Sequence, residues 1–141
     1  MNVLMIGGDR NTLTPGTEAH NRLRLQRSEV ERLDLFVWPA VHSLRDILRA
    51  ARGETYDVIT TQDPFWRGAI GWFVARRTGA RLNVQVHTDL SKQSFTKHVL
   101  AQIVLRHADS VRVVSRRIKN QVERIGVHAL VYVLPVFVDL S

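Results

Sequence analysis

The sequence predicts an α/β fold with a doubly wound, mostly parallel, Rossmann-like sheet, forming a single three-layer α/β/α domain over residues 1–141. A length of 141 residues suits one compact domain. Short β-branched apolar runs alternate with amphipathic stretches, which is the order expected of β-α-β units. Several of these runs are apolar nearly throughout, as in strands covered on both faces of a parallel sheet.

Six strands are predicted from these apolar runs. They cover Asn2–Ile6, Leu33–Trp38, Asp57–Thr61, Leu82–His87, Ser110–Val114 and Leu130–Leu134. The short connections predict right-handed crossovers between neighbouring parallel strands. In such sheets ligands bind beyond the carboxyl ends of the strands, near the point where the strand order reverses. The residues that follow each strand are therefore the first candidates for a site.

Capping residues predict where the intervening helices begin and end. The first helix opens at Thr14-Pro15 and runs to about Val30, and the second spans Ser43 to Gly53. In the third, Asp63 is the predicted N-cap, followed by proline, and Gly79 ends the helix. Each of the last three helices has a predicted buried stripe at helical spacing. In the third it is Trp66, Ala69, Ile70 and Phe73, and in the fourth Val99, Leu100, Ile103 and Val104. In the fifth, which runs from Ser115 to Gly126, it is Ile118, Val122 and Ile125.

Composition indicates which kinds of partner the protein binds and in which cellular compartment it is expected. A net charge of +7 favours anionic partners such as phosphates or acidic lipid headgroups. The arginines are spread along the chain, so no specific nucleic acid is expected. The absence of cysteine excludes disulfides and thiolate metal sites. With no apolar run of roughly 18 residues and no signal-peptide pattern, a cytoplasmic protein is expected, with peripheral membrane binding left open.

The loop after the first strand is a candidate binding loop. Glycines there let the backbone approach a ligand, and the following helix N-terminus offers free N–H groups to a phosphate or a sugar hydroxyl. A flexible strand-to-helix turn is the alternative. The candidates in this loop are Gly7, Gly8, Asp9, Arg10, Gly16 and Thr17.

His87 is the candidate catalytic residue, because it ends an apolar strand where a crevice is expected. It could hydrogen-bond a sugar or phosphate, or act as an acid or base; a histidine satisfied by backbone is the alternative. Thr88 and Asp89 follow it as candidate ligand contacts. Asp63, after the third strand, is either a ligand contact or a helix cap.

Ser115 and Arg116 are candidates after the fifth strand. Together with Arg117 they place a hydroxyl and two cations at a helix N-terminus, where cations oppose the helix dipole. An anionic ligand, a partner domain or a membrane would relieve that conflict, and a solvated pair of charges is the alternative.

Several site classes are excluded. The sequence has no G-x-G-x-x-G fingerprint, no acid after the second strand to bind a ribose, and no Walker A lysine. It has no nucleophile elbow, and His98 and His107 lack metal-ligand spacing. Neither a metal nor a resident cofactor is therefore expected.

Five segments, in order, resemble the N-terminal domain of family 4 glycosyltransferases. The loop at Gly7-Gly8 and Pro15-Gly16 is similar to that family's glycine-containing loop, and residues 57–65 resemble its DVV-x-x-QDPF stretch. Residues 85–87 resemble VQVH, residues 108–115 resemble ADRVRVVS, and residues 133–139 resemble LPVFVD. The similarity spans essentially the whole chain.

The resemblance implies a GT-B architecture of two Rossmann-like domains facing across a cleft. The N-terminal domain mainly binds the acceptor, and the C-terminal domain binds a nucleotide-sugar donor. Transfer retains the anomeric configuration and usually needs no metal. The position of His87 lies beside the donor sugar and acceptor, Gly7 and Gly8 approach the donor diphosphate, and Ser115 and Arg116 match the crevice rim.

The resemblance also sets what the chain is expected to need. The donor-binding C-terminal domain is the expected partner, together with a sugar or lipid-linked acceptor, and the chain alone is expected to be inactive. Either it is an expressed fragment or it is a natural half-enzyme. The alternative function is a non-catalytic, free-standing half-domain that binds a partner or forms a homodimer.

Overall fold

A computed structural model describes residues 1–134 as a six-stranded sheet in which every strand is parallel to its neighbours. The strands are β1 (Asn2–Gly7), β2 (Arg32–Val37), β3 (Val58–Thr61), β4 (Arg81–Val86), β5 (Ser110–Val113) and β6 (Leu130–Val133). The helices are α1 (Glu18–Ser28), α2 (Leu44–Gly53), α3 (Trp66–Thr78), α4 (Phe95–His107) and α5 (Arg116–Arg124).

The strand order is β2-β1-β3-β4-β5-β6. The chain adds β2 on one side of β1 and every later strand on the other, so the order reverses between β1 and β3. This confirms the predicted doubly wound α/β fold. The carboxyl ends of β1 and β3 flank the reversal, where connections leave in opposite directions. In this architecture that is where a ligand-binding crevice is expected.

Two buried clusters lie on opposite faces of the sheet, and the smaller one covers only the end formed by β1 and β2. On one face, Leu23 of α1 packs with Val3, Met5 and apolar residues of β2. On the other, Ile47 of α2 joins buried side chains from α3, α4, α5 and the strands. Each large aliphatic side chain buried in these clusters contributes about 1.5 to 3 kcal/mol. The result is the predicted three-layer arrangement.

The predicted buried stripe of α3 is wrong at Trp66 and Phe73, which are exposed, whereas Ala69 and Ile70 pack partly buried against the core. The fully buried residues of α3 are Gly71, Val74 and Ala75, together with Gly68, which packs against α4. A Cβ on Gly71 would overlap the Cγ2 atom of buried Thr61, so small residues let α3 approach β3 closely. On α4, Val99 and Ile103 are likewise exposed, and Ala101, Val104 and Leu105 are buried.

Two predicted helix starts are wrong by one turn or less. Residues 10–13 form a 3-10 turn, and α1 starts at Glu18, because Thr17 accepts a hydrogen bond from the backbone N–H of His20 at 3.2 Å. Helix α3 starts at Trp66, two residues after the predicted proline, with no side-chain cap. The capping box of Ser43 on α2 and the left-handed Gly79 after α3 are confirmed.

Of the segment that resembles LPVFVD, residues 135–139 lie outside the described residues. Within residues 1–134 no helix is long and apolar enough to span a bilayer.

Candidate functional site

Gly7 and Gly8 end β1 at the point where the strand order reverses. Neither has a positive φ, so available space and not backbone conformation requires glycine here. A Cβ on Gly7 would overlap the Gln62 amide, and one on Gly8 would overlap the Arg67 guanidinium. The two glycines therefore let long polar side chains lie directly over the backbone of this loop.

Arg67 links the two sides of the reversal point. From the first turn of α3, its Nε donates to the carbonyl of Trp38 at 2.9 Å, and its Nη1 donates to Asp63 Oδ2 at 2.8 Å. The other carboxylate oxygen of Asp63 accepts the backbone N–H of Phe65 at 2.8 Å. Asp63 thus fixes Arg67 as well as the start of α3. Sequence reasoning missed Arg67, although its i, i+4 spacing from Asp63 was a usable signal.

The remaining candidates of the first loop shape the loop itself. Asp9 accepts the backbone N–H of Asn11 at 2.9 Å, and Arg10 donates to the carbonyl of Ala40 at 3.1 Å. Thr17 caps α1, and Gly16 takes a φ of 88°. The structure therefore uses these side chains for local order and leaves Gly8 nearest the reversal point.

His87 follows β4 at its carboxyl end and belongs to a row of polar side chains on one face of the sheet. Its Nε2 lies 3.1 Å from Gln85 Oε1, and Gln85 Nε2 donates to Thr60 Oγ1 at 3.2 Å. Thr60 donates in turn to Asn83 Oδ1 at 2.9 Å. In this arrangement Gln85 presents an acceptor, so His87 carries its proton on Nε2 and leaves Nδ1 available to a ligand.

The charges around His87 are mostly positive. Partial burial lowers the pKa of the imidazole first, the positive charges of Arg112 and Arg22 lower it further, and Asp63 opposes them. A lowered pKa keeps the ring neutral at pH 7. Arg112 pairs in register with Gln85, and its Nε is buried with no hydrogen-bond partner among residues 1–134.

Asp89 belongs to a second group of candidates, between β4 and α5. It accepts from the Ser91 hydroxyl and backbone N–H and from Gln121 and Arg117, at 2.6 to 2.9 Å. The hydrogen bonds from Ser91, then the bond from Gln121, hold its pKa at about 2. Of the two cations that oppose the α5 dipole, Arg117 is therefore balanced by this carboxylate, and Arg116 stays exposed to solvent.

The other candidates at this rim have simpler surroundings. Ser115 caps α5 by accepting the backbone N–H of Ile118 at 3.3 Å. Thr88 and Arg116 are exposed. The structure thus brings Gly7, Gly8, Asp63 and His87 to the central crevice, while Asp89, Ser115 and Arg116 lie along its β5 side.

Two surface cavities of about 470 and 550 Å³ are both lined by Tyr56 before the amino end of β3, and the first also extends along β2 to Phe36 and His42. Arg32 beside the first is already paired with Asp34 and Glu54 at 2.8 Å. The second is lined mainly by aliphatic and arginine side chains of α2 and α3. Neither cavity contains a candidate residue from the sequence, whereas Gly7, Gly8, Asp63 and His87 lie at the carboxyl edge. Within the described residues 1–134, no three His, Asp or Glu residues could hold a metal ion.

Comparisons with known proteins point the same way. A family model described as "Glycosyl transferase 4-like domain" matches residues 3–136. Among solved structures, the chain is similar to the UDP-GlcNAc 2-epimerase from Methanocaldococcus jannaschii, with a TM-score of 0.60 and 14% identity. The match covers 94% of this chain and 45% of the epimerase chain, and at that identity it shows a shared fold. No curated protein matches.

Proposed function

The chain belongs to the glycosyl transferase 4-like domain family, and we propose that it is the acceptor-binding half of a retaining glycosyltransferase. The reaction moves a sugar from a nucleotide-sugar to an acceptor. The observation that carries this proposal is the placement of His87, oriented by Gln85 at the carboxyl end of β4 and facing a crevice with uncompensated positive charge. Fold alone would not suffice, because an epimerase shares it.

His87 has the position and protonation state to bind a sugar hydroxyl. Its Nδ1 accepts a hydrogen bond from a hydroxyl at the reacting sugar, while Gln85 fixes the ring from behind. Arg22 and Arg112 supply positive charge to an acidic acceptor group, such as the phosphate of a sugar phosphate or a lipid-linked sugar. The acceptor class we propose is therefore an anionic sugar or a lipid-linked one.

The loop at Gly8 is proposed to face the donor diphosphate. Arg67 lies over it, but its charge is largely balanced by Asp63 at 2.8 Å. Additional positive groups must therefore come from a second, donor-binding domain, which we propose as the partner of this chain. Because most of the transition-state charge develops on the donor, the 141-residue chain alone should not turn over.

Sugar transfer by the natural gene product tests this function. The protein is incubated with radiolabelled UDP-glucose, UDP-N-acetylglucosamine or GDP-mannose and a total cell extract as acceptor source. We expect label in an acidic product, and His87→Ala should lower the rate about 10- to 100-fold, as expected for one lost hydrogen bond of 1.4 to 2.8 kcal/mol.

The control is Arg124→Met, at the exposed far end of α5, which should retain the rate. Equal melting temperatures of the variants would show that His87→Ala is folded. No transfer from any donor, or transfer that His87→Ala leaves unchanged, would contradict the proposed function. Measurable turnover by the 141-residue chain without a second domain would contradict its role as a half-enzyme.

A further inference from the structure

The outer surface of α3 and α4 carries an unusual set of exposed apolar side chains. On α4, Phe95 is 83% exposed, Val99 36% and Ile103 40%. On α3, Trp66 is 54% exposed and Phe73 47%. Successive members on each helix are four or seven residues apart, so each set forms one stripe on the solvent side. We call these five residues the apolar face.

The two helices lie side by side, so their stripes belong to one surface. Trp72 of α3 stacks on His107 of α4 with ring centroids 4.5 Å apart. A Cβ on Gly68 of α3 would come within 2.8 Å of Val104 Cγ1 on α4, which shows how closely the helices pack. Exposed apolar residues scattered singly are ordinary, but a contiguous set usually marks an interaction site.

The charge on this surface has one sign. Helices α3 and α4 contain no Asp or Glu and carry five Lys or Arg residues: Arg67, Arg76, Arg77, Lys97 and Arg106. Arg67 turns to the reversal point and pairs with Asp63, whereas the other four are exposed and make no ion pair within the described residues. Arg106 donates to the carbonyl of Ile125 at 3.2 Å, and the other three lie over aromatic rings at 5.1 to 5.8 Å. The surface therefore combines apolar side chains with uncompensated positive charge.

We propose that the apolar face docks the protein onto an anionic lipid bilayer. Lysine and arginine near the headgroups contribute about 1 kcal/mol each, and Trp and Phe partition into the interface with their rings at headgroup depth. A second copy of the chain fits less well, because a symmetric contact would bring like charges together. On a nucleic acid, the aliphatic side chains of Val99 and Ile103 would bury little apolar surface, so this partner also fits less well.

The geometry also links the bilayer to the crevice. Trp66 and Phe95 are the first residues of α3 and α4, so they lie at the edge where β3 and β4 end. That is the edge that carries His87. A bilayer contacting these two side chains would bring the crevice next to the headgroups, where a lipid-linked acceptor resides. This last step rests on the proposed function, whereas docking itself does not.

Vesicle binding tests the docking. The chain is mixed with vesicles of phosphatidylcholine containing phosphatidylglycerol, or of phosphatidylcholine alone, and bound protein is measured by co-sedimentation. We expect binding to the anionic vesicles and its loss at high salt. Phe95→Ser should weaken it roughly tenfold or more, the affinity equivalent of about 1.5 kcal/mol of apolar burial. The paired change Arg76→Gln with Lys97→Gln should also weaken it.

Matched controls come from α1, on the opposite side of the sheet. Leu25 is 65% exposed there, and Arg24 is an exposed cation. Leu25→Ser and Arg24→Gln should leave vesicle binding unchanged. Brominated lipid provides a second readout, because it should quench tryptophan fluorescence in the wild type and much less in Trp66→Phe, which keeps Trp38 and Trp72.

Three results would overturn the proposal. The first is no binding to anionic vesicles. The second is binding weakened as much by the α1 controls as by the α3 and α4 changes. The third is a dimer in sedimentation velocity that Phe95→Ser dissociates without any vesicle binding, which would assign the face to a second copy. These measurements need no sugar donor or acceptor, so their failure would leave the proposed glycosyltransferase function to its own test.

Discussion

At the scale of single residues, the decisive property of the crevice is which charges have partners. Arg67 pairs with Asp63 and Arg117 pairs with Asp89, both at 2.8 Å. Arg112 has no such pair among residues 1–134, and the guanidinium Nε is buried without a hydrogen bond. An unpaired buried donor is costly to a folded protein, and a ligand that accepts from it recovers that cost. We therefore expect an anionic ligand to bind at Arg112.

The pKa of His87 tests the effect of these charges, because each substitution should shift it in a known direction. Because positive charge from Arg112 lowers the His87 pKa and Asp63 opposes it, Arg112→Met should raise that pKa and Asp63→Asn should lower it further. The pKa should remain below the ordinary value of about 6.5 in Arg112→Met, since burial is the larger cause. An NMR titration of the imidazole Cε1–H resonance measures all three proteins.

The pH dependence of stability follows from the same shift. A histidine whose folded pKa is lowered contributes stability that is present above the unfolded pKa of about 6.5 and is lost as the pH falls from there through the folded pKa. Arg124→Met, at the far end of α5, is the control and should leave the His87 resonance unmoved. An unchanged pKa in Arg112→Met would show that this guanidinium does not act on His87.

At the scale of elements, α3 shows what periodicity misses. Its apolar positions predict a stripe of large side chains against the sheet, but the face that packs is Gly68, Gly71, Val74 and Ala75. Periodicity counts hydrophobicity and ignores size, whereas a helix over a parallel sheet needs small residues where it comes closest. Capping residues were better guides: Ser43, Ser115 and Gly79 all mark helix boundaries as predicted.

The close packing of α3 predicts the effect of one added methyl group. Gly71→Ala would force its Cβ against Thr61 Cγ2, so we expect a loss of about 1 to 2 kcal/mol in the free energy of unfolding. Overpacking costs about 1 to 3 kcal/mol, and the better helix propensity of alanine recovers up to about 1 kcal/mol. Urea denaturation measures the difference.

Gly53→Ala is the matched control on α2. Nothing lies within 4 Å of a Cβ at Gly53, and its φ is not positive. It should be neutral or slightly stabilising through helix propensity. If Gly71→Ala proved as harmless as Gly53→Ala, the close approach of α3 to β3 would be wrong.

At the scale of the whole molecule, local signals predicted the architecture well and the site only in part. Apolar runs predicted all six strands to within a residue at each end, because at least one face of each strand packs against the core. The polar residues on the other face of β4 and β5, such as Gln85 and Arg112, interrupt the apolar pattern without ending the strand. Candidates such as His87 could be located because they follow strands directly. The roles of Arg67 and Arg112 depend on which side chains the crossovers bring together, and no local pattern contains that information.

The position of the crevice is the central claim, and NMR mapping of ligand binding tests it most directly. Amide shifts of the ¹⁵N-labelled chain are followed while glucose 6-phosphate is added as an anionic sugar probe. We expect the largest amide shifts at Gly8, His87 and Arg112, and we expect these shifts to become smaller in Arg112→Met. Shifts confined to the cavities near Tyr56, or no saturable shifts at any residue, would contradict the claim.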